Sequence, residues 1–127
     1  MTVRQAEAHE LPAVMGVLDA AMLDADAAVV ADRIDDGTVL VAVDGDRVLG
    51  ACVVDHSDDG AVVEAIAVRP GRRGQGVGSA LVAAATARWG ELSAVFDESV
   101  RAFYESLGFD VEPLGPGRFR GRLRDVP

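Results

Sequence analysis

The residues best placed to do chemistry lie between positions 68 and 81. There Arg69, Arg72 and Arg73 are interleaved with Gly71, Gly74, Gly76 and Gly78. Glycine lets a backbone turn sharply and lets a ligand approach it closely. An apolar run, 62–68, leads into the loop, and a helix-compatible run, 77–89, leads out. The first turn of a helix presents unpaired N–H groups in one direction, a ready site for phosphate. Two nucleotide patterns fail here. The Walker pattern needs a lysine, and the chain has none; the dinucleotide pattern needs a third glycine where Ser79 stands. A third pattern fits: Arg-x-x-Gly-x-Gly, on Arg73, Gly76 and Gly78.

Other reactive side chains are few. Glu64 is a charge inside the apolar run 61–68, a costly place unless it faces a wet cleft. It is a candidate general base, directly or through water; a solvent-facing position or an ion pair with an arginine is the plainer reading. Cys52 lies in an apolar run with no histidine placed to activate it, and reads as a small buried residue. His9 sits near a helix start and His56 before a turn, neither with partners at metal-ligand spacing, so no metal site is expected. Arg118, Arg120, Arg122 and Arg124 alternate with Phe119, Gly121 and Leu123, which on a strand puts the four arginines on one face. That face suits solvent or pairing with the chain's acids. It also suits an anionic acceptor or a contact between two copies, hence a homodimer.

The chain's size bounds what can position these groups. With 127 residues, half of them hydrophobic, one folded domain spanning 1–127 is expected. No run is long enough for a membrane span, and no signal peptide is visible. A single cysteine allows no internal disulfide, which is compatible with a cytoplasmic protein. The net charge of −9 argues against general nucleic-acid binding. Every basic residue is arginine, and aspartate outnumbers glutamate. Adaptation to high salt and codon bias in a GC-rich genome both account for this; we favour the first, and melting with and without molar salt separates them.

The elements follow from periodicity and turn residues. Residues 2–6 read as a strand. Leu11, Val14, Met15, Leu18 and Met22 recur at helical spacing, with Pro12 in the first turn. Asp26 caps a second helix carrying Ala27, Val30 and Ile34, and Gly37 ends it. Strands at 38–43, 48–54 and 61–68, joined by tight turns, form an antiparallel meander. The helix 77–89 buries Val77, Leu81, Val82, Ala85 and Trp89. A strand at 92–96 then pairs in parallel with 61–68, as a strand–helix–strand series requires. A helix over 98–107 with Asp97 as N-cap, and strands at 109–114 and 118–123, complete the chain.

The resulting order, β-α-α-β-β-β-α-β-α-β-β, resembles the GCN5-related N-acetyltransferase (GNAT) fold. The stretch from Asp97 to Phe109 strengthens the resemblance. Its Asp97, Val100, Phe103, Tyr104, Gly108 and Phe109 follow the family's Asn-x-x-Ala-x-x-Phe-Tyr-x-x-x-Gly-Phe, with Asp97 in place of Asn and Val100 in place of Ala. The resemblance implies an α/β (α+β) fold, with a mixed central sheet of about six to seven strands and four helices. It implies an acetyl-CoA-dependent N-acetyltransferase that passes an acetyl group to a primary amine, on a small molecule or a peptide, by direct attack in a ternary complex. Arg73, Gly74, Gln75, Gly76, Val77, Gly78 and Ser79 would hold the pyrophosphate. Ile66, Ala67 and Val68 would pair with the pantetheine arm, one N–H polarising the thioester carbonyl. Tyr104, the only tyrosine, would be the general acid for the leaving thiolate, with plain core as the competing role. Two other readings stay open: a catalytically silent acyl-CoA-binding sensor, and, more weakly, a nucleotide-binding domain.

Overall fold

The computed structural model describes residues 1–21 and 23–124, so Met22 of the first helical stripe lies outside the described residues. Seven strands form one sheet: β1 (Thr2–Gln5), β2 (Val39–Asp44), β3 (Arg47–Ser57), β4 (Gly60–Val68), β5 (Leu92–Asp97), β6 (Asp110–Gly115) and β7 (Arg118–Leu123). Their spatial order is β1-β2-β3-β4-β5-β7-β6. Four α-helices accompany them: α1 (Leu11–Ala20), α2 (Ala27–Asp35), α3 (Val77–Trp89) and α4 (Arg101–Ser106). This is the α/β architecture expected. The last helix is shorter than expected, because Glu98–Val100 form a 3-10 turn before it.

The two faces of the sheet explain the apolar runs. Val39 to Val43 are all buried, because helices cover the central strands on both sides. On one face Val14, Val17 and Leu18 of α1 and Val30 and Ile34 of α2 pack on Val41, Ala51 and Ala67. On the other, Val77, Leu81 and Ala85 of α3 pack on Cys52, Val63 and Ile66. Gly50 lets α3 lie close: a Cβ there would stand 2.9 Å from the Ala67 carbonyl oxygen and 3.0 Å from Val77 Cγ1. Trp89, expected on the buried face, is only half-buried at the helix end.

One feature of the sheet was not legible in chain order. The strand β7 lies between β5 and β6, pairing with β5 along its whole length from Leu92↔Leu123 to Asp97↔Arg118. The parallel pair of β4 and β5 is confined to Ala61↔Leu92 and Val62↔Ser93. Beyond Val62 the two strands diverge. The β5-facing edge of β4, from Val63 to Val68, is therefore left without a strand partner.

Candidate active site

The glycine loop brings its backbone to the start of α3. Gly74 (φ +75°) and Gly76 (φ +83°) are left-handed, a conformation other residues adopt only with strain. A Cβ at either would meet nothing within 4 Å, so the conformation and not crowding demands glycine. Gly76 is the N-cap; it has no side chain to cap with, and its carbonyl accepts from the Ala80 N–H at 3.0 Å. The N–H groups of Val77, Gly78 and Ser79 consequently have no partner within the helix. They border a cavity of 330 Å³ that Val68, Arg73 and Leu107 also line. Arg73 Nε donates to the Val68 carbonyl at 3.3 Å, which ties the loop to the end of β4. Arg72 lies 3.7 Å from Asp44, and Gln75 donates to the Gly71 carbonyl at 3.4 Å.

The cleft continues along the free edge of β4. The Arg69 N–H donates to Leu49 of β3 at 2.8 Å. Main-chain groups alternate along a strand, so Ala67 also faces β3, and Ile66 and Val68 point their N–H and C=O groups away from it, toward the opening. A second cavity, 260 Å³, lies there between Ile66, Ala67 and Val68 on one side and Val100 and Phe103 on the other. It shares Val68, Arg73 and Phe103 with the first.

A wider space of 700 Å³ follows, bordered by Asp24, Glu64, Ile66, Asp97, Tyr104 and Arg118. Tyr104 packs as a core residue: its ring stacks on Phe96 with centroids 4.3 Å apart and meets Phe109 edge-on at 5.2 Å. It is 7% exposed, and its hydroxyl has no hydrogen-bond partner among the described residues. Burial, with a smaller contribution from Cys52, holds that hydroxyl well above the ordinary tyrosine range. The ring thus packs as core, while Tyr104 also borders the wide space.

Glu64 sits on a β-bulge. Val53 is opposite Ala65 and Val54 opposite Val63, so Glu64 has no partner on β3 and is turned toward α2. There it accepts from Arg33 Nε at 2.6 Å and from a second guanidinium nitrogen at 3.5 Å. Arg33 also lies 3.6 Å from Asp55 and 3.9 Å from Asp36. Asp97 accepts from the Ser99 N–H at 2.9 Å and from the Ser99 hydroxyl, so it caps the 3-10 turn ahead of α4. Those two bonds hold its carboxyl below the usual range.

The remaining candidates lie apart from this cleft. Cys52 is fully buried, and burial alone pushes its thiol up to about 12, which leaves it unreactive. His9 is exposed, 3.5 Å from Glu7, and the His56 ring stands 6.3 Å from Trp89. Sequence reasoning missed Asp24, Arg33 and the bulge. No spacing announces them, because each acts across the sheet or between distant elements.

The first turn of α3 also touches the helix that carries Tyr104. A Cβ at Gly78 would come within 2.9 Å of Leu107 Cδ2 and 3.9 Å of Phe103 Cε1.

Comparison with known proteins accords with this geometry. An acetyltransferase from Bacillus cereus, of the GNAT family, superposes with a TM-score of 0.82 at 17% identity, over 99% of this chain and 98% of that one. The ribosomal-protein-S18-alanine N-acetyltransferase of Escherichia coli gives 0.78 at 20% identity, over 99% and 94%. The PaiA N-acetyltransferase of Thermoplasma acidophilum, solved in complex with coenzyme A, gives 0.78 at 14% identity, over 97% and 98%. No curated protein sequence matches the chain. The acetyltransferase (GNAT) domain model matches residues 35–111, from the end of α2 through the glycine loop, β4 and α4 into β6. That span is well over half of the sequence, and with the fold and the cleft it identifies the chain as a member of the GNAT acetyltransferase family, whose acyl donor is acetyl-CoA.

Proposed function

We propose that the chain is an acetyl-CoA-dependent N-acetyltransferase acting on a primary amine by direct attack in a ternary complex. The observation that carries this reading is the run of three adjoining cavities, which share lining residues, from the open N-terminus of α3, along the unpaired edge of β4, to Tyr104. Bound acetyl-CoA supplies an activated acetyl thioester, and its anionic diphosphate suits the first end of the cleft. The N–H groups of Val77, Gly78 and Ser79, backed by the helix dipole, would hold that diphosphate, with Arg73 and the turns at Gly74, Gln75 and Gly76 shaping the cradle. Ile66 and Val68 would accept the extended arm as an added strand, with Ala67 providing surface, and one of their N–H groups would polarise the carbonyl.

At the far end the amine nitrogen attacks the carbonyl carbon, a C–N bond forms, the C–S bond breaks, and the sulfur takes the electron pair. Tyr104 is protonated at every working pH and serves as the donor to that sulfur. With its hydroxyl above the ordinary range, it is a weaker acid than a thiol of about 8.5, so it acts mainly through a hydrogen bond that strengthens as charge builds. Glu64 accepts the proton released by the amine, and through water, because Arg33 already holds its carboxylate.

That ion pair also favours a second reading, a silent acyl-CoA-binding module, since it occupies the carboxylate proposed above as the base. Free-thiol release from acetyl-CoA over a broad amine panel decides between them. Amine-dependent release is expected; saturable acetyl-CoA binding with no release over the panel selects the silent module.

A further inference from the structure

The walls of the wide end of the cleft carry four charged side chains, Asp24, Glu64, Asp97 and Arg118. Two of them are matched inside the protein. Arg33 holds Glu64, and Ser99 supplies both a main-chain and a side-chain donor to Asp97. Arg118 stands opposite Asp97 in the β5–β7 ladder, near enough for its charge to help hold the Asp97 carboxyl low, but that carboxylate makes its hydrogen bonds to Ser99 and none to the guanidinium. Among the described residues neither Asp24 nor Arg118 forms an ion pair. Asp24 enters from the α1–α2 connection and Arg118 from β7, on the other side of the opening between β4 and β5. The buried Tyr104, whose hydroxyl is also unpartnered, borders the same space.

Arg118 is exposed and, like several other arginines among the described residues, forms no ion pair; what sets it apart is its place at the wide end of the cleft in a chain of net charge −9. The overall field of such a chain repels anions, so an anionic group would be held there only by a local cation. Arginine is suited to that task, because its planar fork meets a carboxylate with two parallel N–H donors. An acid near the same space attracts an ammonium group. One wall favours a cation and the other an anion.

Resting on the acetyl-transfer reading above, we infer that the acceptor is an amine carrying a carboxylate a few bonds away, with Arg118 binding that carboxylate and Asp24 drawing in the ammonium end. The amine must lose a proton before it attacks, so Asp24 steers the charged form and takes no part in the bond change. The 700 Å³ of space admits a whole amino acid or the first residues of a peptide. The shared chemistry has two sources: the α-carboxylate of a free amino acid, or the side-chain carboxylate of an acidic residue beside a peptide α-amine.

The test is steady-state acetylation by the full chain over matched acceptors. One arm uses the common amino acids, their carboxamides, and the amines left by their decarboxylation. The other uses short peptides differing only by Asp, Asn or Ala at the second position. The carboxylate-bearing member of a set should exceed its neutral partners by about tenfold or more in kcat/KM, the scale of a charge-assisted hydrogen-bonded pair. The arm in which this happens names the source. Arg118→Gln should erase the preference by raising KM for the carboxylate acceptor, with kcat, coenzyme affinity and Tm unchanged; Arg118→Lys should restore part of it. If acetylation proceeds but ignores the carboxylate, or Arg118→Gln keeps the preference, the inference falls and the transferase reading stands. If no acceptor is acetylated although the coenzyme binds, both fall.

Discussion

At the α3 end of the cleft the groups offered to a ligand belong mainly to the backbone: the N–H groups of Val77, Gly78 and Ser79, set by the left-handed turns at Gly74 and Gly76. At the Tyr104 end they are side chains: a tyrosine whose ring stacks among phenylalanines, a carboxylate gripped by Arg33, and an arginine without an ion pair among the described residues. A ligand part common to a whole family can be held by main chain, which every sequence possesses. A part that varies must be read by side chains, which are free to change. On the proposed reading the same molecule carries a generic grip and a particular one, a short stretch of β4 apart.

The comparison can be broken by substitutions at each end. The largest effect is expected from Tyr104→Phe, which should lower kcat by about a hundredfold while leaving KM for acetyl-CoA unchanged. Its Tm should hold, since the hydroxyl has no hydrogen-bond partner to lose among the described residues. Equal turnover would leave Tyr104 as core alone. Gly76→Val acts on the other end. Forcing a β-branched residue to φ +83° costs about 1–2 kcal/mol. KM for acetyl-CoA should rise about tenfold with little change in discrimination among amines; an unaltered KM would show that the loop grips nothing.

Glu64→Gln tests whether the ion-paired carboxylate takes part in proton removal. A loss of about tenfold in kcat/KM near neutral pH is expected, shrinking as pH rises and the amine deprotonates unaided. A deficit constant with pH would assign Glu64 to structure only. The smallest effect is on stability in alkali. Burial raises both the Cys52 thiol and the Tyr104 hydroxyl above their unfolded values of 9.0 and 10.0. Groups raised in this way contribute stability that is intact below pH 9 and drains as pH climbs, for Cys52 toward about 12. Tm should fall between pH 9 and 11, and Cys52→Ala should flatten that slope even though it lowers Tm throughout.

The same contrast explains what could be read from the sequence. The glycine loop was legible because left-handed turns and an uncapped helix start are local demands, written in Gly74, Gly76 and Gly78. The alternation of Arg118, Arg120 and Arg122 with Phe119 and Leu123 correctly gave the two faces of β7, with the apolar set on the core. Asp26 and Asp97 were legible as caps, since each bonds an amide two residues on. The insertion of β7 between β5 and β6 was not, because antiparallel pairing can join strands in several orders without altering any local pattern. Nor was the Arg33–Glu64 pair, whose members lie on different elements and meet only because the bulge turns Glu64 toward α2.

The absent side chain at Gly78 has a further consequence. Leu107 and Phe103 occupy the room it leaves, so the turn offered to the donor and the helix bearing Tyr104 share a single joint. Tightening one member of that joint stiffens the other. On the proposed reading, the end that serves the leaving group is therefore hard to retune without also settling what stands at position 78, far back in the chain.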